Sequence, residues 1–126
     1  MWQTLGRLAL TACALLLWGT AEAQERPEAV TPEAVSQGEG LFKGAGLCSA
    51  CHGASAKGIP NLGANLTDDE WLHSDGSFDG ILKSITEGIS ADKSSSGTVM
   101  PPKGGSALSD GQLKAVAAYV WSLSNK

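Results

Sequence analysis

The sequence predicts an all-α domain, with three main helices, shorter helical pieces and long loops wrapped around an embedded ligand. Three observations carry this. Apolar residues recur with helical spacing in three segments, the first and last opened by a capping residue. No run of alternating β-branched residues offers a strand. The connections are long for a chain of 126 residues, sixteen of them glycine. Long irregular loops in a compact domain usually serve function or a bound group.

The first 23 residues predict a signal peptide. Arg7 supplies a basic start, Leu8 to Trp18 is apolar, and Ala21-Glu22-Ala23 has the small-x-small form of a cleavage site. The apolar stretch falls short of the ~20 residues that cross a bilayer as a helix. Leu10-Thr11-Ala12-Cys13 offers a competing reading as a lipidation site, and an uncleaved anchor is a third. The apolar stretch runs on past Cys13 to Trp18, which places that cysteine mid-core and favours cleavage after Ala23 and soluble export to the periplasm. Membrane association is then expected only if Cys13 is lipidated. Cleavage leaves roughly 100 residues, small for a self-sufficient core. An apolar prosthetic group at the centre would complete it.

The mature part reads in order. Residues 24–30 form a polar leader, expected to be mobile. Thr31 caps and Pro32 opens the first helix, which carries Ala34, Val35, Gly38, Leu41 and Phe42 and ends at Gly44 and Gly46. Gly53 to Leu66 is an irregular loop. Thr67-Asp68-Asp69-Glu70 has the form of a capping box and predicts a short helix holding Trp71. Phe78, Ile81, Leu82 and Ile85 give the second main helix, closed by Gly88. Ser90 to Gly97 is a polar loop. Met100 follows it, stiffened by Pro101-Pro102. Ser109 to Gln112 is a second capping box and opens the last helix, with Leu113, Val116, Ala117, Val120 and Leu123 on its buried face. A single domain spans residues 31–126.

Charge narrows the partners. Nine basic and thirteen acidic residues give a net charge of −4, and losing Arg7 and Glu22 leaves that balance unchanged. A basic footprint for nucleic acid is missing. A partner with a positive docking patch would suit the domain better.

Cys48-Ser49-Ala50-Cys51-His52 carries the chemistry. Cys-x-x-Cys-His is the attachment motif of c-type haem. Two thiols one helical turn apart reach the two vinyl groups and form thioethers, and His52 turns its imidazole to the iron. A thioredoxin-like pair needs a βαβ pattern, which is missing. A structural zinc site needs four ligands, and His73 is the one other obvious donor. After cleavage Met100 is the single methionine. It sits in a loop beside two prolines, a poor place for a core filler, and a thioether ligand favours ferrous iron. Met100 is therefore the expected second axial ligand, with His73 the alternative. Trp71 is a candidate haem contact, through its indole N–H or by packing on the haem edge. Lys43, Lys57 and Lys103 are candidates to border the haem edge.

These motifs resemble the class I c-type cytochromes over nearly all of the mature chain. The likeness rests on Gly38 and Phe42, on Cys48 to Gly53, on Gly58-Ile59-Pro60-Asn61-Leu62, on Met100-Pro101 and on Val116 to Val120. It implies a class I fold around one covalent haem c with its iron. It implies that the first and last helices cross near Gly38 with Phe42 touching Tyr119, and that the Pro60 carbonyl accepts a hydrogen bond from His52. Pro60-Asn61-Leu62, Leu66 to Trp71 and Ala118 to Leu123 look most like the haem domains of the diheme subunit in cbb-type oxidases. This chain differs in having one Cys-x-x-Cys-His, no internal membrane anchor and the added Ser90 to Gly97 loop. The function implied is one-electron transfer between redox partners in a respiratory or dehydrogenase chain, with no enzymatic activity and no small-molecule substrate. A dedicated electron-transfer subunit is the alternative, with Ser90 to Gly97 as its docking element. A haem sensor with Met100 off the iron is the third reading.

Overall fold

The computed structural model describes residues 25–126. The signal peptide expected over residues 1–23, and with it Cys13, lies outside the described residues. Four α-helices follow in order: α1 over Pro32–Lys43, α2 over Ser49–His52, α3 over Phe78–Glu87 and α4 over Asp110–Ser124, with a 3₁₀ turn at Pro102–Gly105 before the last. Among the described residues there is no strand, only two isolated antiparallel bridges, Ile59 with Gly63 and Ile89 with Met100. The predicted all-α class holds.

Local chemistry sets each helix end. Thr31 Oγ1 accepts the Ala34 N–H at 3.1 Å, and Pro32 occupies the first turn, where its missing N–H costs nothing. Ser77 Oγ accepts the Gly80 N–H at 3.0 Å and donates to Asp75 Oδ1 at 2.6 Å. These two Ser77 donors, hydroxyl and backbone N–H, hold the Asp75 carboxyl below its ordinary range. Ser109 and Gln112 form the full reciprocal box at the start of α4. Ser109→Ala is expected to cost about 1 kcal/mol. Thermal unfolding should show this as a midpoint lower by roughly 4–8 °C.

The core lies where α4 packs on both α1 and α3. Gly38 makes the first crossing possible. A Cβ there would collide with the Ala115 carbonyl and come within 2.9 Å of Tyr119 Cβ. The close approach seats Phe42, fully buried, edge-on against Tyr119 with ring centroids 5.3 Å apart. Burial on α4 is wider than its apolar spacing predicts. Ala115, Ala118, Tyr119 and Trp121 are buried along with Leu113, Val116, Ala117 and Val120, because the helix is covered from two sides, while Leu123 is half-buried. No polar or charged residue is buried among the described residues.

Two expectations are corrected. The leader is not mobile throughout: Val30 is buried in the core, and its N–H donates to the Pro27 carbonyl at 2.9 Å. It precedes the Thr31 cap, while Val35, four residues beyond the cap, packs on the same cluster, which is the arrangement of a hydrophobic staple. The short helix predicted from Thr67 does not form; residues 66–69 are bends and Glu70 is irregular. The polar side chains bond within their own turn instead. Asn65 Oδ1 accepts from the Thr67 N–H and hydroxyl, and Asp68 Oδ1 accepts the Glu70 N–H. Such local bonds compete with helix formation.

Candidate functional site

The site is a cleft of about 700 Å³ continuous with a smaller cavity of about 90 Å³. The larger volume lies in the range of ~300–1,000 Å³ that holds cofactors. Cys48, His52 and Met100 line both, and Cys51 lines the larger. Residues 52 positions apart in sequence thus meet at one place.

The single turn α2 brings the motif together. Cys48 caps it and Cys51 lies on it, so both free thiols leave one helical turn. The Cys48 thiol also donates to the Gly46 carbonyl at 3.4 Å. Burial pushes this thiol up from its ordinary range, so it stays protonated at neutral pH. Among the described residues no three His, Cys, Asp or Glu side chains converge on one point, so the zinc reading finds no ligand set.

His52 is held from two directions. Its ring lies 6.4 Å from that of Phe42, which links it to the α1–α4 core. Its Nδ1 is 2.9 Å from the Ala64 carbonyl, to which it donates as the neutral tautomer. That leaves the Nε2 lone pair for a metal, the usual arrangement of a ligating histidine.

The partner expected for His52 was the Pro60 carbonyl; the structure puts Ala64 there. The reason is the turn between them. Pro60 and Asn61 are its two central residues, Asn61 takes a φ of 61°, and the Leu62 N–H returns to the Ile59 carbonyl at 3.0 Å. Pro60 is carried to an exposed tip on the cleft wall. The returning segment lies against α2, so close that a Cβ on Gly63 would collide with the Cys51 carbonyl. Glycine at 63 is what lets Ala64 reach His52. The Pro-Asn pair signals this turn in the sequence.

Met100 is fixed through its backbone. Its N–H donates to the Ile89 carbonyl at 2.9 Å and its carbonyl accepts the Ile89 N–H at 2.8 Å. Ile89 follows directly on the cap of α3, so the loop is tied to a rigid element. Gly88, with a φ of 72°, passes under this contact; a Cβ there would collide with the Met100 carbonyl.

Trp71 lines the smaller cavity with Cys48, His52 and Met100. It is half-buried, and Gly76 packs against its indole edge. His73 lines both cavities. Its Nε2 faces Ser95, within 3.2 Å of both the backbone N–H and the hydroxyl. Of the three lysines, Lys57 lines the cleft; Lys43 instead pairs with Glu39 at 2.6 Å along α1.

The donor set fits a covalently held haem: two free thiols one turn apart, an imidazole with its outer nitrogen available, and a thioether on a second loop of the same cleft. Fold and cleft together define a class I c-type cytochrome domain. Residues 33–120 match the family model described as cytochrome c oxidase, cbb3-type, subunit III, and the chain belongs to that family.

The cbb3-type cytochrome c oxidase subunit FixP of Rhizobium etli is 38% identical over 108 residues, covering 84% of this chain and 36% of the relative. Subunit CcoP of Rubrivivax gelatinosus is 41% identical over 93 residues, covering 74% of this chain and 27% of that one. The chain thus spans about a third of the length of these relatives. Cytochrome CL of Methylophaga aminisulfidivorans superposes with a TM-score of 0.58 at 29% identity, covering 75% of this chain and 55% of the other. Membership implies covalently bound haem, iron and electron transfer.

Proposed function

We propose that the domain holds one haem c and works as an exported one-electron carrier between redox proteins of a respiratory or dehydrogenase chain. The observation that supports this best is the convergence of Cys48, Cys51, His52 and Met100 on one cleft. In this reading Cys48 and Cys51 would hold the haem through thioethers, and His52 and Met100 would bind its iron. Trp71, which lines the smaller cavity, would contact the haem, and Pro60 lines the cleft wall that would face it rather than supporting His52. The bound haem supplies an iron that gains and loses one electron.

The chain's own residues keep that exchange easy. The Ala64 carbonyl and Phe42 ring fix the imidazole, and the Ile89 bridge fixes the backbone of Met100. Neither ligand has to move when the charge changes. Ile59, Leu62, Leu72 and Ile89 line the cleft and limit the water that would otherwise reorganise around the iron. With His52 and Met100 both engaged, the iron would offer no place for a substrate, and the protein would act as a carrier rather than an enzyme. The signal peptide expected over residues 1–23 would deliver it to the periplasm.

Matured with a cytochrome c assembly system, the protein is expected to carry one haem per chain that resists acid-acetone extraction. Its redox titration should follow a single one-electron curve. Extractable haem, or a second haem per chain, would refute the proposal. A second reading, a subunit bound stably to an oxidase, is favoured by the names of the relatives. Co-purification of a stoichiometric complex through moderate salt would favour the subunit; recovery of the free cytochrome favours the carrier.

A further inference from the structure

We infer that Ser90 to Gly97 is a strap across the mouth of the cleft, and that His73 is the residue that positions it and, through it, Met100. The inference rests on Met100 being the sixth ligand. The strap is internally ordered. The Lys93 and Ser94 N–H groups both return to the Ser90 carbonyl, at 3.0 and 2.9 Å, and the Gly97 N–H returns to Ser94 at 3.2 Å. Its base is pinned by the Ile89–Met100 bridge, and Ser94, Ser95 and Ser96 line the cleft.

Two other loops grip it from either side. Thr98 Oγ1 donates to the Asn61 carbonyl at 3.1 Å, on the turn that carries Pro60. The Ser95 N–H donates to His73 Nε2 at 3.2 Å, with the Ser95 hydroxyl at the same distance. His73 is itself tied to α3, since its carbonyl accepts the Ser84 hydroxyl at 3.2 Å. The chemistry selects the residue type. Ser95 offers a backbone N–H, so its partner must be an acceptor. A neutral imidazole with its proton on Nδ1 provides one. Met100 lies two residues beyond Thr98. Releasing either grip therefore loosens the segment that carries the thioether.

The test uses the haem-loaded protein with imidazole as a competing iron ligand. In His73→Phe the ring volume is largely kept but the acceptor is lost. Ferric His73→Phe should bind imidazole about three- to tenfold more tightly than wild type, the range that one neutral hydrogen bond supplies. Its Met–iron charge-transfer band should weaken, and the Ser95 amide should exchange faster. His73→Gln restores an acceptor and should return all three towards wild type. Thr98→Val removes the second grip and should act in the same direction as His73→Phe. Unchanged imidazole affinity and unchanged Ser95 exchange in His73→Phe would overturn the strap. A wild type without the Met–iron band would overturn the Met100 reading and the positioning role with it, while Ser95 exchange still decides whether the strap is held.

Discussion

Replacing Met100 by alanine is expected to abolish the Met–iron charge-transfer band of the ferric protein and to lower its midpoint potential on the order of 100–200 mV. The estimate comes from the share of the ~0.8 V window over which axial ligands set haem potentials. The sign follows from the ligand. A neutral, soft thioether prefers ferrous iron, so its loss favours the ferric state. For one electron, ~59 mV is a tenfold change in the redox equilibrium, so the fall amounts to roughly 50- to 2,500-fold. The substitution isolates the side chain unusually well. The loop is held by backbone hydrogen bonds between residues 89 and 100, which alanine preserves. A variant with the band and potential of wild type would remove Met100 from the iron and return His73 to consideration.

Helix positions were legible because their signals are local. Thr31-Pro32 and Ser109 to Gln112 cap their own helices within three or four residues, and apolar spacing marks the faces that meet. The motif at Cys48 to His52 was legible for the same reason. Thr67 shows where local reading fails. A capping residue and a turn-forming residue have the same side chain, and Asn65, just upstream, decided between them. The Ala64 acceptor was out of reach for a different cause. A backbone carbonyl is the same in every residue, so its role depends on how the chain folds back. In this chain the Pro60-Asn61 turn and Gly63 direct that return. His73 was noted only as a spare ligand because its contact spans 22 residues to Ser95, a distance that only the closure of Ser90 to Gly97 removes.

The same chemical change two residues apart on α1 should have opposite effects. Gly40 faces solvent, and a Cβ there would meet nothing within 4 Å. Gly40→Ala should therefore gain about 1 kcal/mol of helix propensity, raising the thermal midpoint by roughly 4–8 °C. Gly38→Ala gains the same propensity but places its methyl in the Ala115 carbonyl. That carbonyl belongs to the backbone of α4 and cannot turn aside as a side chain would. The helices must part, and the Phe42–Tyr119 contact opens with them. Overpacking of this kind costs about 1–3 kcal/mol and sometimes more. Because the obstacle is backbone, the net loss is expected near 2 kcal/mol, a midpoint lower by about 8–16 °C. Phe42 also rests against His52, so the loss should reach the site as a shifted haem absorption spectrum in Gly38→Ala and not in Gly40→Ala. Thermal midpoints of the two haem-loaded variants that move the same way would show that α1 and α4 do not cross at Gly38.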